Sequence, residues 1–156
     1  IMYDEQNEPL GRLIYFTAQK IGVQAESFLR PYGLTLEQLH LIKTLAADGE
    51  LSQQHLGVAT NKSAGNMTRL INRLEKKGLV ARRGNPADRR SLLVTLTLQG
   101  TALEQEIAVL FEQFSALLHQ EIGAQEKEEV RRVLRRMTAN LENMECSNKQ
   151  RSGADE

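Results

Sequence analysis

Residues 63–77, closed by Gly78, leave this chain few ways to fold. Met67, Leu70, Ile71 and Leu74 fall at i, i+3, i+4 and i+7, the apolar stripe of an amphipathic helix. At about 100° per residue, the opposite face carries Gly65, Arg69, Asn72 and Lys76, with Lys62 and Arg73 beside it. Such a helix must lay one side on a core and leave a cationic, amide-rich side outside. Gly65 on that outer side leaves room for close backbone approach. The outer side suits a nucleic-acid groove, and it equally suits water.

The segment beyond the helix narrows the choice. Residues 79–83 read as a short strand and residues 84–90 as a turn-rich tip. Residues 92–97 return as a second strand rich in β-formers. Helix, strand, basic loop and strand form a helix-turn-helix unit with a wing. Asp88, Arg90, Val94, Leu96, Thr97 and Gly100 match the pattern D-x-R-x-x-x-[VL]-x-L-T-x-x-G. That pattern resembles the wing signature of MarR-type winged-helix regulators. Residues 68–80 look like that family's recognition helix and its exit. The two motifs lie within residues 51–100, about a third of the chain.

Charge distribution points the same way. The 156 residues carry 20 basic and 20 acidic side chains, a formal net charge of zero. Residues 51–100 nevertheless hold nine cations and two carboxylates, a local charge of +7, flanked by segments of −3 and −4. A local basic footprint is what phosphate binding needs, whatever the average. A protein-docking winged helix would tolerate a neutral helix and wing; here both are basic, which favours DNA.

The rest of the chain reads as helices. Pro9 opens a first helix to about Arg30, with Leu10, Leu13, Ile14, Thr17, Ile21, Ala25 and Phe28 as its buried stripe. Residues 35–38 form a capping box, opening a helix that closes at Asp48–Gly49. Ser52 caps a short helix through about Ala59. After the wing, Thr97 caps a long helix from about Leu98 to Ile122, broken by Gly123. A last helix runs from about Gln125 to Met144, with Glu128 and Arg132 spaced for an ion pair and a polar, frayed tail behind it. Arg131, Arg132, Arg135 and Arg136 follow three glutamates and read as a solvated face. The fold expected is mainly α with a small β-wing. It divides into an N-terminal dimerisation helix (1–34), a winged lobe (35–100), C-terminal dimerisation helices (101–145) and a flexible tail (146–156).

The resemblance assigns roles. It implies a homodimer on a pseudo-palindromic double-stranded DNA operator, with two recognition helices roughly 34–36 Å apart. Asn61, Lys62, Ser63, Gly65, Asn66, Thr68 and Arg69 sit where the family's helix meets the major groove; Asn66 suits adenine and Arg69 guanine. Ser52 and Gln53 become phosphate contacts, although Ser52 also reads as a simple cap. Arg73, Lys76 and Lys77 are expected at phosphates or in solvent, Arg89 at a phosphate and Arg90 in the minor groove. Asp88 either holds the Arg90 guanidinium or caps the loop turn. First and last helices of two subunits intertwine through Leu10, Leu13, Ile14, Phe114, Leu118, Val130, Leu134, Met137 and Leu141. The regulator is expected to be a repressor released by a small aromatic or phenolic effector, with Tyr15, His40 and Phe111 as a lining; core packing explains those three equally well.

Other chemistries find little support. His40, His55 and His119 lie on three different predicted helices without metal-ligand spacing, and no phosphate-binding glycine motif occurs. No cofactor, metal or catalytic residue is expected. No apolar run reaches about 18 residues, so no membrane partner is expected, and the single Cys146 fits a reducing cytoplasm. A cysteine-based redox switch is the alternative signal, and the polar surroundings of Cys146 argue against it.

Overall fold

The sequence stripe of residues 63–77 becomes the centre of the lobe. The computed structural model of the protein describes residues 8–152, with side chains through Glu145. The chain runs α1 (Leu10–Leu29), a 3-10 turn (Arg30–Tyr32), α2 (Leu36–Asp48), β1 (Leu51–Ser52), α3 (Gln53–Ala59) and α4 (Ala64–Lys76). It continues with β2 (Val80–Asn85), β3 (Asp88–Leu96), α5 (Leu98–Leu118) and α6 (Ala124–Ser152). It divides into two units between Phe114 and Ser115.

In the first unit, α4 starts at the Ser63 cap, whose hydroxyl accepts from the Asn66 amide. It stops where Gly78 adopts φ 71°, a value only glycine reaches without strain. Met67, Leu70, Ile71 and Leu74 are all buried. Met67, Ile71 and Leu74 join Leu39, Leu41, Ile42 and Leu45 of α2, Leu56 of α3, Val80 and Val94 of the sheet, and Ile107 of α5 in one core. The expected capping box on α2 is present: Thr35 Oγ1 accepts from the Gln38 amide, and Gln38 Oε1 accepts from the Thr35 amide. That second bond satisfies the otherwise buried Gln38 side chain.

The sheet is antiparallel with order β1-β3-β2. Its two long strands are longer than the sequence suggests. The tip shrinks to Pro86 and Ala87, because Asn85 already pairs with Asp88 beyond an irregularity at Gly84/Asn85. The two-residue β1, pairing Leu51 with Val94 and Ser52 with Leu93, was not expected. So short a strand has no periodicity of its own; its partner creates it.

Thr97 ties the wing back to α4. Its hydroxyl donates to the Gly78 carbonyl at 2.6 Å and accepts from the Gly100 amide at 3.0 Å, while its own amide donates to the Leu79 carbonyl at 3.1 Å. A Cβ on Gly100 would stand 2.0 Å from that Leu79 carbonyl oxygen. The Thr97 and Gly100 positions of the wing motif therefore have a packing origin.

The helices outside the lobe differ from expectation in five ways. The α1 stripe is mostly open: Ala25 is buried, whereas Leu10 and Leu13 are 55% and 49% exposed. α5 ends at Leu118 rather than Ile122, and Glu121 turns the chain with φ 60°. Gly123 opens α6 instead of ending α5, its amide donating to Glu126 Oε2 at 2.8 Å. α6 continues to Ser152, past the expected end near Met144, because no glycine or proline interrupts it before Gly153. In this second unit Glu128 pairs with Arg131, and Arg132 with Glu129, both i,i+3; the expected Glu128–Arg132 pair is replaced. Val130, Leu134, Leu141 and Met144 are exposed along α6.

Gly100→Ala places a methyl group against a backbone carbonyl that three hydrogen bonds surround. It should lower unfolding free energy by about 1–3 kcal/mol. Urea melts checking this should show a lower midpoint with an unchanged slope.

Candidate nucleic-acid interface

A tight turn sets α3 against the start of α4. The Lys62 amide donates to the Gly57 carbonyl at 2.8 Å, and the Asn61 amide to Val58 at 3.2 Å. Asn61 takes φ 52°, a left-handed conformation that asparagine tolerates better than most residues. A Cβ on Gly57 would meet the Lys62 carbonyl at 3.1 Å, so the approach depends on glycine there. The turn directs Asn61, Lys62 and Ser63 toward the wing. Together with Gln53, Gln54 and Val58 of α3, and Asp88, Arg90, Ser91 and Leu92 of β3, they line a groove of about 800 Å³.

The wing tip is braced from within. Asn85 Nδ2 donates to Ser91 Oγ at 2.7 Å, and Asn85 Oδ1 accepts from the Ala87 amide at 3.0 Å. Asp88 Oδ1 accepts from the Arg90 backbone amide at 2.9 Å. The carboxylate thus fixes Arg90 through its backbone, and no Asp88–guanidinium ion pair forms. This is the loop-capping reading of Asp88. Alternation along β3 sends Arg90 to the groove and leaves Arg89, also exposed, outside its lining.

Most of the sequence-assigned residues come to one surface. Gln53, Asn61, Lys62, Ser63, Asp88 and Arg90 share the groove, while Gly65, Asn66, Thr68, Arg69 and Arg73 are exposed along α4. Ser52 is the exception. It is buried, its hydroxyl accepts from the His55 amide at 3.1 Å and lies 2.8 Å from His55 Nδ1, so it serves as the cap of α3. Gln53 Nε2 donates to Thr68 Oγ1 at 2.7 Å, coupling α3 to α4.

The cations divide into two groups. Lys62 pairs with Glu37, Arg82 with Glu75 at 3.0 Å, and Arg83 with both oxygens of Glu50 at 2.5 and 2.7 Å. The Arg83 guanidinium holds the Glu50 carboxyl below its ordinary range by hydrogen bonding and charge. Lys77 donates to the Gly33 carbonyl and Arg69 to Asn66 Oδ1. The side chains of Arg73, Lys76, Arg89 and Arg90 are exposed and make no hydrogen bond or ion pair among the described residues.

Arg82 is the residue that sequence reasoning missed. Besides Glu75, its guanidinium donates to Asn72 Oδ1 at 2.7 Å and to the Thr68 carbonyl at 3.4 Å, and its buried Nε makes no hydrogen bond. The signal was available: Val80 and Arg82 share one face of β2, the face turned to α4. Asn72, placed on the outer face by periodicity, is committed to this contact.

The expected effector lining does not assemble within one chain. His40 lines a separate groove of about 490 Å³ with Glu37, Lys43, Thr44 and Thr60, and neither Tyr15 nor Phe111 belongs to it. Tyr15 accepts from Gln19 on exposed α1, and Phe111 stacks edge-on against Phe114 beside the core. The Cys146 side chain lies outside the described residues. Among those described, no group of three His, Cys, Asp or Glu could hold a metal, and no helix is long and apolar enough to cross a membrane.

Known proteins share this arrangement. Residues 32–91 match the model of the MarR family. MarR of Escherichia coli is 33% identical over 114 residues, covering 73% of this chain and 77% of that protein. This chain belongs to the MarR family. MarR of Salmonella typhimurium is 35% identical over 95 residues, 61% of this chain; the match spans 66% of that protein, just under two thirds. A solved structure of mutant E. coli MarR complexed with operator DNA superposes with a TM-score of 0.78 at 28% identity, covering 88% of this chain and 98% of that one. The Bordetella bronchiseptica protein BpsR, whose DNA binding is regulated by 6-hydroxynicotinic acid, gives 0.77 at 28% identity, covering 84% and 94%.

Arg82 separates positioning from phosphate binding. Arg82→Met should cost about 1 kcal/mol of stability, as lost charged hydrogen bonds do, and weaken DNA binding. The slope of log affinity against log salt should stay at the wild-type value, because this guanidinium is already engaged internally. A slope reduced by about 0.9 would make it a phosphate ligand instead.

Proposed function

We propose that this MarR-family chain is a homodimeric repressor that binds a pseudo-palindromic duplex operator and releases it when a small aromatic or phenolic effector binds. The observation that carries the DNA part is the outward set of Arg73, Lys76, Arg89 and Arg90, which no acidic side chain among the described residues neutralises. Arg90 lines the groove between the Asn61–Ser63 turn and the wing, while Arg73 and Lys76 stand on α4 and Arg89 on β3. In this reading α4 enters the major groove, Arg90 the adjacent minor groove, and Gln53, Arg73 and Arg89 meet phosphates. The operator complex of E. coli MarR supports the reading by likeness.

The dimer part rests on open apolar surface. Leu10, Leu13, Tyr15, Phe16 and Val23 on α1, and Val130, Leu134 and Leu141 on α6, are each at least 40% exposed in the single chain. Apolar faces of this extent mark interfaces, and a second copy of the same helices is the partner the reading assigns. The effector part leans on BpsR, and oxidation at Cys146 is the signal it displaces.

Arg90→Ala should weaken operator binding about tenfold at fixed salt and flatten the salt slope by about 0.9, with melting and mass unchanged. Equal affinity for the two proteins in a mobility-shift titration would remove the wing from the mechanism. In the same assay, hydroxylated aromatic acids should release operator from wild type and from Cys146→Ser alike. Light scattering at micromolar concentration should give twice the chain mass, and Leu134→Asp should dissociate that species by burying an unpaired charge. A wild-type monomer under those conditions would end the dimer reading.

A further inference from the structure

Asn66 and Arg69 stand three residues apart on the exposed face of α4, where side chains at i and i+3 are neighbours. Arg69 Nη2 donates to Asn66 Oδ1. Arginine has only donors, so the asparagine must present its oxygen and not its amide nitrogen; the chemistry alone fixes the orientation. Among the described residues no carboxylate pairs with Arg69. Asn66 is itself held in place, its backbone amide capped by Ser63.

This contact changes how the helix can read bases. Reading adenine takes both ends of an asparagine amide: the oxygen accepts from N6 and the nitrogen donates to N7. Here the oxygen is engaged by the guanidinium. Reading guanine takes two parallel N–H groups of an arginine, and Arg69 keeps its remaining donors after bonding Asn66. A long arginine on an open helix face otherwise loses much rotamer freedom when it docks, and a buttress that restricts it beforehand lowers that cost.

We infer that Asn66 is a positioning residue for Arg69, so that the pair reads one guanine together and Asn66 does not read an adenine of its own. The inference rests on α4 lying in the major groove, as proposed above. Its consequence is a coupling between two positions that periodicity alone would treat as separate readers.

The test uses the full-length protein and a duplex selected from a randomised pool by the wild type, followed by every single-base-pair substitution of that duplex. Arg69→Ala should abolish discrimination at one guanine by about tenfold or more. Asn66→Ala should relax the same base pair, and the double variant should lose little beyond Arg69→Ala, because the two side chains act as one unit. Asn66→Asp keeps an acceptor for the guanidinium. It should lower affinity for all duplexes through its charge, yet retain the preference ratio at that guanine. Relaxation at a different base pair by Asn66→Ala, with additive losses in the double variant, would establish independent readers and overturn the inference. Unchanged preferences in Asn66→Ala would overturn it as well. If Arg69→Ala shifts no base preference while Arg90→Ala still weakens binding, the groove reading of α4 fails and the inference falls with it. Melting curves matched to wild type exclude misfolding as the cause.

Discussion

The contact between the Leu79 carbonyl and the α-carbon of Gly100 is the constraint on which the lobe depends. The Leu79 amide bonds the Leu74 carbonyl and so closes α4, while its own carbonyl receives the Thr97 amide. The Thr97 hydroxyl reaches Gly78 and caps α5. The end of the helix, both roots of the wing and the start of the next helix thus meet in one hydrogen-bonded knot. There is no space in it for a Cβ. Because the knot fixes where the wing leaves α4, it also fixes where Arg90 stands relative to the helix face. The electrostatics of the interface derive from this packing.

Folding neutralises a third of the local cations. Of nine cations between residues 51 and 100, three pair with carboxylates and two more are held by amide or carbonyl oxygens. Two of the carboxylates, Glu37 and Glu50, come from the acidic N-terminal third of the chain. The sequence count of +7 therefore overstates the field that DNA would meet. What remains is concentrated at the second half of α4 and the wing tip. These places can touch a duplex together only if the wing keeps its angle, and the Arg82 contacts to Asn72, Glu75 and the Thr68 carbonyl support that angle.

Legibility in the sequence tracked the range of the forces involved. The four-residue stripe of α4, the Thr35–Gln38 box and the Ser52 and Thr97 caps are local, and each is present as read. β1 and the full length of the wing strands depend on pairing between distant segments, and local pattern cannot register that. Asp88 shows the same limit within the site: its composition allowed two roles, and the backbone geometry of the tip selected one. Arg82 was hidden because charge counting treats every cation as solvent-facing, although strand alternation placed it beside Val80. The α1 stripe is apolar as read, yet Leu10 and Leu13 stand exposed, because periodicity marks an apolar face without saying what packs on it.

The three strands differ in the order in which they can assemble. β2 and β3 join through Pro86 and Ala87 alone, and such short closures form rapidly. Leu51 and Val94 lie 43 positions apart, with α3, α4 and the hairpin between them. Closing that loop costs chain entropy before the pairing returns any. The hairpin and α4 can therefore exist as a local nucleus, and β1 with α2 can join only once both are in place. An unpaired strand edge invites pairing with other chains, and in the folded lobe the two residues of β1 cover part of that edge on β3 as well as completing its sheet.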